Sequence, residues 1–156
     1  MDLLVKLYEL PEAGEALHRL RTAGIVIRRA MVYEKFQVVA WVEENFGRGW
    51  GAECDVAFSR NPVAVFVAVR EGEMVGFACH DTTMKNFFGP LGVGLEWRKK
   101  GVGAALLLGC LRMMAADGYA YAIIGGVDNV DFYAKTAGAV AIPGSSPGVY
   151  GDRLRG

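Results

Sequence analysis

The run from Leu91 to Ala104 limits this chain more than any other. Leu91-Gly92-Val93-Gly94 reads as the end of an apolar strand, and Arg98-Lys99-Lys100 as a short cationic loop. Gly101-Val102-Gly103-Ala104 then opens a long apolar helix. The first N–H groups of such a helix lack intrahelical partners, and the aligned peptide dipoles put partial positive charge there. Glycines at the turn let phosphate oxygens reach those groups without meeting a Cβ. With three cations alongside, the segment has the chemistry of a site for a phosphorylated ligand. An ordinary strand-to-helix turn would use the same glycines.

Hydrophobic periodicity organises the remainder. Val5 to Leu10 alternates as a short strand, and Glu12 to Ala23 carries Ala16, Leu17 and Leu20 at helical spacing. Ile25 to Ala30 is a second strand. Tyr33 to Phe46 reads as a helix whose apolar face is Phe36, Val39, Ala40, Val42 and Phe46, and Trp50 to Phe58 as a shorter one. Val63 to Val69 is continuously apolar, as in a strand covered on both faces, and Arg70-Glu71-Gly72-Glu73 turns it into the strand Met74 to His80. Phe87 to Val93, the helix from Gly101 to Asp117, Tyr119 to Ile124, a helix over Asn129 to Thr136 and the strand Ala139 to Ile142 complete the order.

At 156 residues, 53% apolar with a mean hydropathy of +0.23, the chain is expected to be one globular domain. Lys plus Arg and Asp plus Glu number 17 each, so no overall field favours nucleic acid or an acidic membrane. No apolar run approaches the roughly 20 residues that cross a bilayer. Met1-Asp2-Leu3 lacks a secretory signal's basic start, and Cys54, Cys79 and Cys110 are scattered. A reduced, cytoplasmic setting without a zinc site is the expectation. The helix after Gly101 has Arg112 as its only charged side chain and is expected to be buried on most sides, with a homodimer as one way to bury it.

Arg98, two residues, Gly101, one residue and Gly103 is similar to the Arg/Gln-x-x-Gly-x-Gly/Ala signature of the GCN5-related N-acetyltransferase (GNAT) superfamily. Leu91 and Val93 stand at that family's distances before the arginine, and Ala104-Ala105-Leu106-Leu107-Leu108 follows as its helix does. The element order from Ile25 onward also resembles the family's. The resemblance implies an α/β fold with a mixed, mostly antiparallel sheet, splayed central strands and flanking helices. Residues 25–156 would be the core, and residues 1–24 a strand and helix added to it, packed at the sheet edge.

The same resemblance implies acetyl-coenzyme A as acetyl donor, held by Leu91, Val93, Arg98, Lys99, Lys100, Gly101, Val102, Gly103, Ala104 and Asn129. It implies direct attack by a primary amine of a small molecule or protein in a ternary complex, with no metal. Gly92 and Gly94 would leave the backbone around Val93 accessible. Tyr133, in Phe132-Tyr133, takes the place of the family's general acid, with half-buried packing as its other use. The family commonly has Asn seven residues and Ala four residues before this tyrosine; here these positions are Gly126 and Asn129, and Asn129 also suits a helix cap. Among Glu44, Glu53, Asp55 and Asp81, Glu53 is the favoured base because Trp50 lowers the polarity around it, and a water chain is the alternative. The altered pattern leaves a catalytically silent module that binds acetyl-coenzyme A or coenzyme A as a second reading.

Overall fold

The continuously apolar run in the middle of the chain becomes a strand covered on both faces. In the computed structural model, which describes residues 1–155, this is β3 (Val65–Arg70). It shares one sheet with β1 (Leu3–Lys6), β2 (Ile25–Arg29), β4 (Glu73–His80), β5 (Phe87–Val93), β6 (Tyr121–Ile124) and β7 (Val140–Ala141). The spatial order is β2-β3-β4-β5-β6-β1-β7, and every neighbouring pair is antiparallel except β5 with β6. Successive side chains of a strand point to opposite faces. Val65 and Val67 therefore meet α2 (Lys35–Phe46) and α3 (Arg48–Phe58), while Phe66 and Ala68 meet α1 (Gly14–Thr22) and α4 (Val102–Ala116). Helix α5 (Val130–Ala137) packs beside α4. This is the mixed α/β sheet flanked by helices that the sequence implied.

One irregularity shapes the site. β5 pairs with β6 only at Phe87–Ile123 and Phe88–Ile124. β6 ends there, whereas β5 continues to Val93 against β4 alone. The two central strands are thus splayed, and the gap between them opens toward the start of α4.

The N-terminal segment departs from expectation. It does not pack at the sheet edge: β1 lies inside the sheet, antiparallel to β6 on one side and to β7 on the other. The strand also begins earlier than the Val5–Leu10 alternation suggests, because Leu3, Val5 and Leu7 form the buried set. Leu7 N–H donates to Ala120 O, and the chain then tightens into a 3-10 turn at Leu7–Glu9. α1 covers part of α4, and Arg112 reaches the Pro11 carbonyl. Much of α4's apolar surface is therefore buried within the chain itself.

α2 keeps only part of its expected face: Val39, Val42 and Phe46 pack on the sheet side, whereas Phe36 and Ala40 are exposed. Val38 and Val42, four residues apart, are buried against the sheet, and Phe36 is 84% exposed. Two residues along a helix is about 200° of rotation, so Phe36 and Val38 cannot share a face.

α2 is entered through a bidentate ion pair. Arg28 donates to both Glu34 oxygens at 2.8 and 2.7 Å, and the Met31 N–H donates to Glu34 at 2.7 Å. The Arg28 guanidinium and the backbone donor hold the Glu34 carboxyl down at about 2. A carboxyl whose folded pKa is depressed stabilises above its unfolded value and loses that contribution as pH falls through the folded one. Glu34→Gln is expected to destabilise the protein by about 1–2 kcal/mol at neutral pH, as partly exposed charged hydrogen bonds do. The difference from the parent should shrink between pH 4.5 and 2, checked by urea unfolding at several pH values.

Candidate active site

The cationic loop sits at the open end of the splay. Gly101 adopts φ +86°, a left-handed turn that a side chain would strain, and from there α4 starts without a side-chain cap. Ala105 N–H is the first to bond back, to Gly101 O at 3.1 Å. The N–H groups of Val102, Gly103 and Ala104 therefore have no intrahelical partner. In front of them lies a groove of about 610 Å3, whose walls include Leu91, Val93, Arg98, Lys99, Gly103 and Ala104. A Cβ built on Gly103 would make only ordinary contacts, 3.6 Å to Val93 and 3.7 Å to Phe132, so the protein does not fill the space it leaves. An anion with a long, largely apolar arm fits this combination of free donors, cations and apolar wall.

A second cavity, of about 590 Å3, opens on the other side of the splay. Trp50, Leu91, Asn129 and Tyr133 line both spaces, so the two meet there. Tyr133 is half-buried, with its ring edge-on to Phe132 at 5.0 Å and to Phe88 at 6.5 Å. Burial raises its hydroxyl above the ordinary tyrosine value, so it keeps its proton at neutral pH. Glu53 enters this cavity from α3. The Thr83 hydroxyl donates to Glu53 Oε1, and the Thr82 hydroxyl, 3.4 Å away, shares the same oxygen while also bonding Gly89 O at 3.2 Å. Glu53 is thus a half-buried carboxylate held in one orientation, in a wall otherwise rich in aromatic carbon.

Most of the expected residues converge here, with four qualifications. Val102 turns its side chain into the core and is not part of the groove wall. Lys100 stacks on Trp97, 5.0 Å from the ring centroid, on the far side of the loop beside Arg19. Asn129 caps α5, accepting from Phe132 N–H at 3.4 Å, and also reaches both cavities. Arg98 folds back so that its Nε donates to Val93 O at 3.1 Å.

The other base candidates lie elsewhere. Asp55 pairs with Lys35 at 2.9 Å, Glu44 is exposed, and Asp81 is held by His80 and Tyr119 at 2.6 and 2.7 Å. Gly92 has a different use from the one expected. It is buried, and an added Cβ would lie 2.6 Å from Phe46 and 2.9 Å from Phe77, so its bareness seats the aromatic cluster behind the groove.

Three contributors escape a reading of local pattern. Thr82 and Thr83 look like loop polarity in the sequence, yet they orient Glu53. Asp2 is 7% exposed; its Oδ1 accepts from Gly126 N–H at 3.0 Å and its own N–H donates to Ser145 Oγ at 2.8 Å. Those bonds tie the N-terminal strand to the C-terminal segment, from which Tyr150 reaches the second cavity. Gly125 is what permits this, because a Cβ there would collide with the Tyr150 hydroxyl; Gly126, the position that departs from the family pattern, takes a left-handed φ of +63° beside it.

Comparison with known proteins agrees with this geometry. The family model described as the acetyltransferase (GNAT) family matches residues 31–139. Among solved structures, a glucosamine N-acetyltransferase region of a fungal multi-domain β-N-acetylglucosaminidase superposes with a TM-score of 0.72 at 16% identity, covering 87% of this chain and 19% of that one. A GCN5-related N-acetyltransferase from Sphaerobacter thermophilus gives 0.65 at 20% identity, covering 89% and 47%. An aminoglycoside acetyltransferase from an uncultured soil metagenomic sample gives 0.51 at 20%, covering 72% and 84%. The chain thus spans a fifth and about half of the first two proteins. No curated protein matches it. Among the described residues no helix is long and apolar enough to cross a membrane, and no cluster of potential metal ligands occurs.

Proposed function

Because this chain belongs to the acetyltransferase (GNAT) family and is an enzyme of acetyl transfer, we propose that it acetylates a primary amine, with acetyl-coenzyme A as the donor. The observation that carries this reading is the meeting of the two cavities at Tyr133, one bordered by free helix donors and cations, the other by a held carboxylate. Acetyl-coenzyme A would supply an activated acetyl thioester and a pyrophosphate that the N–H groups of Val102, Gly103 and Ala104 suit, with Arg98 and Lys99 adding charge.

The chain's own residues then divide the work. Glu53 accepts a proton from the incoming ammonium, since an amine attacks only when uncharged. The two threonine hydroxyls keep its carboxylate turned toward the cavity and limit its search for that geometry. Tyr133 holds its proton at the junction, where a departing thiolate needs one. Trp50 and the Phe46 ring shield the junction from bulk water.

Glu53→Gln keeps the shape and removes the proton acceptor. It is expected to lower kcat by about 100-fold, the low end for a positioned base, with the acetyl-coenzyme A Kd unchanged. The measurement is thiol release with an amine panel, with acetylated product identified by mass. An unchanged kcat would hand the proton to a water chain instead.

A further inference from the structure

The acceptor cavity is selective in a way that the cofactor groove is not. Its body is aromatic, with Phe87, Phe88, Trp50, Tyr133 and Tyr150 facing it, and its polar side-chain groups are Glu53 with its threonine partner, Asn129 and the two tyrosine hydroxyls, of which Glu53 alone is anionic below the rim. Arg153 and Asp128 stand at the exposed rim. From this geometry we infer that the acceptor is a small primary arylalkylamine, whose ammonium meets Glu53 and whose ring lies among the aromatic side chains. The inference rests on the acetyltransferase reading above and narrows it to one substrate class.

Three arguments converge. An ammonium is attracted both to a carboxylate and to the faces of aromatic rings, and the cavity offers both together. An aminosugar or another polyol would set part of its hydroxyl ring against the aromatic body of the cavity, and each buried hydroxyl without a hydrogen bond opposes binding. A cavity of about 590 Å3 suits an entire small molecule, whereas a lysine side chain on a protein surface is thin and would leave most of it empty.

The C-terminal segment completes this shape, and a glycine at residue 125 admits it. A Cβ on Gly125 would collide with the Tyr150 hydroxyl and lie 2.9 Å from the Phe87 ring. Gly125 therefore lets Tyr150 and Phe87 both approach the backbone at one wall of the cavity. Tyr150 is placed by a 3-10 turn, Gly148–Tyr150, in which its N–H donates to Pro147 O at 3.1 Å. Upstream, Ser145 donates to Ile142 O at 2.7 Å and accepts from Asp2 N–H, so the segment is fastened on both sides. Tyr150 is accordingly a specificity-determining residue supplied from outside the cofactor-binding motif.

The test uses 2-phenylethylamine, glucosamine, spermidine and a lysine-containing peptide as acceptors, with acetyl-coenzyme A binding measured separately by calorimetry. The expected result is a kcat/KM for 2-phenylethylamine at least 100-fold above the other three. Tyr150→Ala should cut that value at least tenfold through KM, with the acetyl-coenzyme A Kd unchanged, and Tyr150→Phe should restore most of it because the ring makes the contact. If acetyl-coenzyme A binds but glucosamine, spermidine or the peptide is preferred, the substrate class is overturned and the acetyltransferase reading stands; if it binds and no acceptor in the panel is turned over, the substrate class is overturned and the catalytically silent module becomes the better reading. If the folded protein does not bind acetyl-coenzyme A, both fall.

Discussion

Tyr133→Phe is expected to lower kcat by about 100-fold or more while leaving acetyl-coenzyme A affinity within twofold. General acids that protonate a leaving group contribute about 10²–10⁴-fold, and this substitution removes one oxygen without emptying the ring's place against Phe88 and Phe132. The pH profile carries a second, independent signature. Burial raises the Tyr133 hydroxyl, so the acid form persists through neutral pH and is lost only as pH climbs past the ordinary tyrosine range. The parent enzyme should therefore show a falling alkaline limb that Tyr133→Phe lacks. A variant with parental kcat and the same alkaline limb would return Tyr133 to packing alone.

Gly103→Val is the complementary case, large in cofactor affinity and small in folding. Valine is a somewhat better helix residue than glycine, and the built Cβ makes no close contact, so the melting temperature should hold. Its branches would occupy the space through which phosphate oxygens reach the N–H groups of the first turn. Loss of charge-assisted hydrogen bonds there is expected to weaken acetyl-coenzyme A binding about 30- to 100-fold, or roughly 2–3 kcal/mol. Gly109→Ala, on the same helix but facing Ile27 at 3.7 Å, should leave the affinity unchanged. Equal affinity in Gly103→Val would remove the loop from the binding site.

Sequence and structure agree where the determinants are local. The strand, cationic loop and glycine-opened helix depend on neighbours within a few residues, and the groove forms where Arg98, Gly101 and Gly103 predicted it. Disagreement begins where a long-range partner decides. Nothing within residues 1–24 says that β1 will sit between β6 and β7, because that depends on the hydrogen-bonding edges left by strands more than a hundred residues away. Phe36 shows the limit of counting apolar positions: Val38 and Val42 share the face of α2 that meets the sheet, and Phe36 lies on the other side. Gly92 and Gly125 were legible as glycines but not for what they accommodate. One makes room for Phe46, the other for Tyr150, and both neighbours are remote in sequence. The orientation of Glu53 by Thr82 and Thr83 is of the same kind, a contact across about thirty residues between a helix and a loop.

The space between the splayed strands and the uncapped start of α4 is expected to hold acetyl-coenzyme A. Calorimetric titration of the folded protein with acetyl-coenzyme A, with coenzyme A alongside, tests it most directly. Binding at micromolar Kd, equivalent to about 8 kcal/mol, and a loss of that affinity in Gly103→Val are the predicted results. Absence of heat and of any melting-temperature shift in well-folded protein at millimolar acetyl-coenzyme A would contradict it.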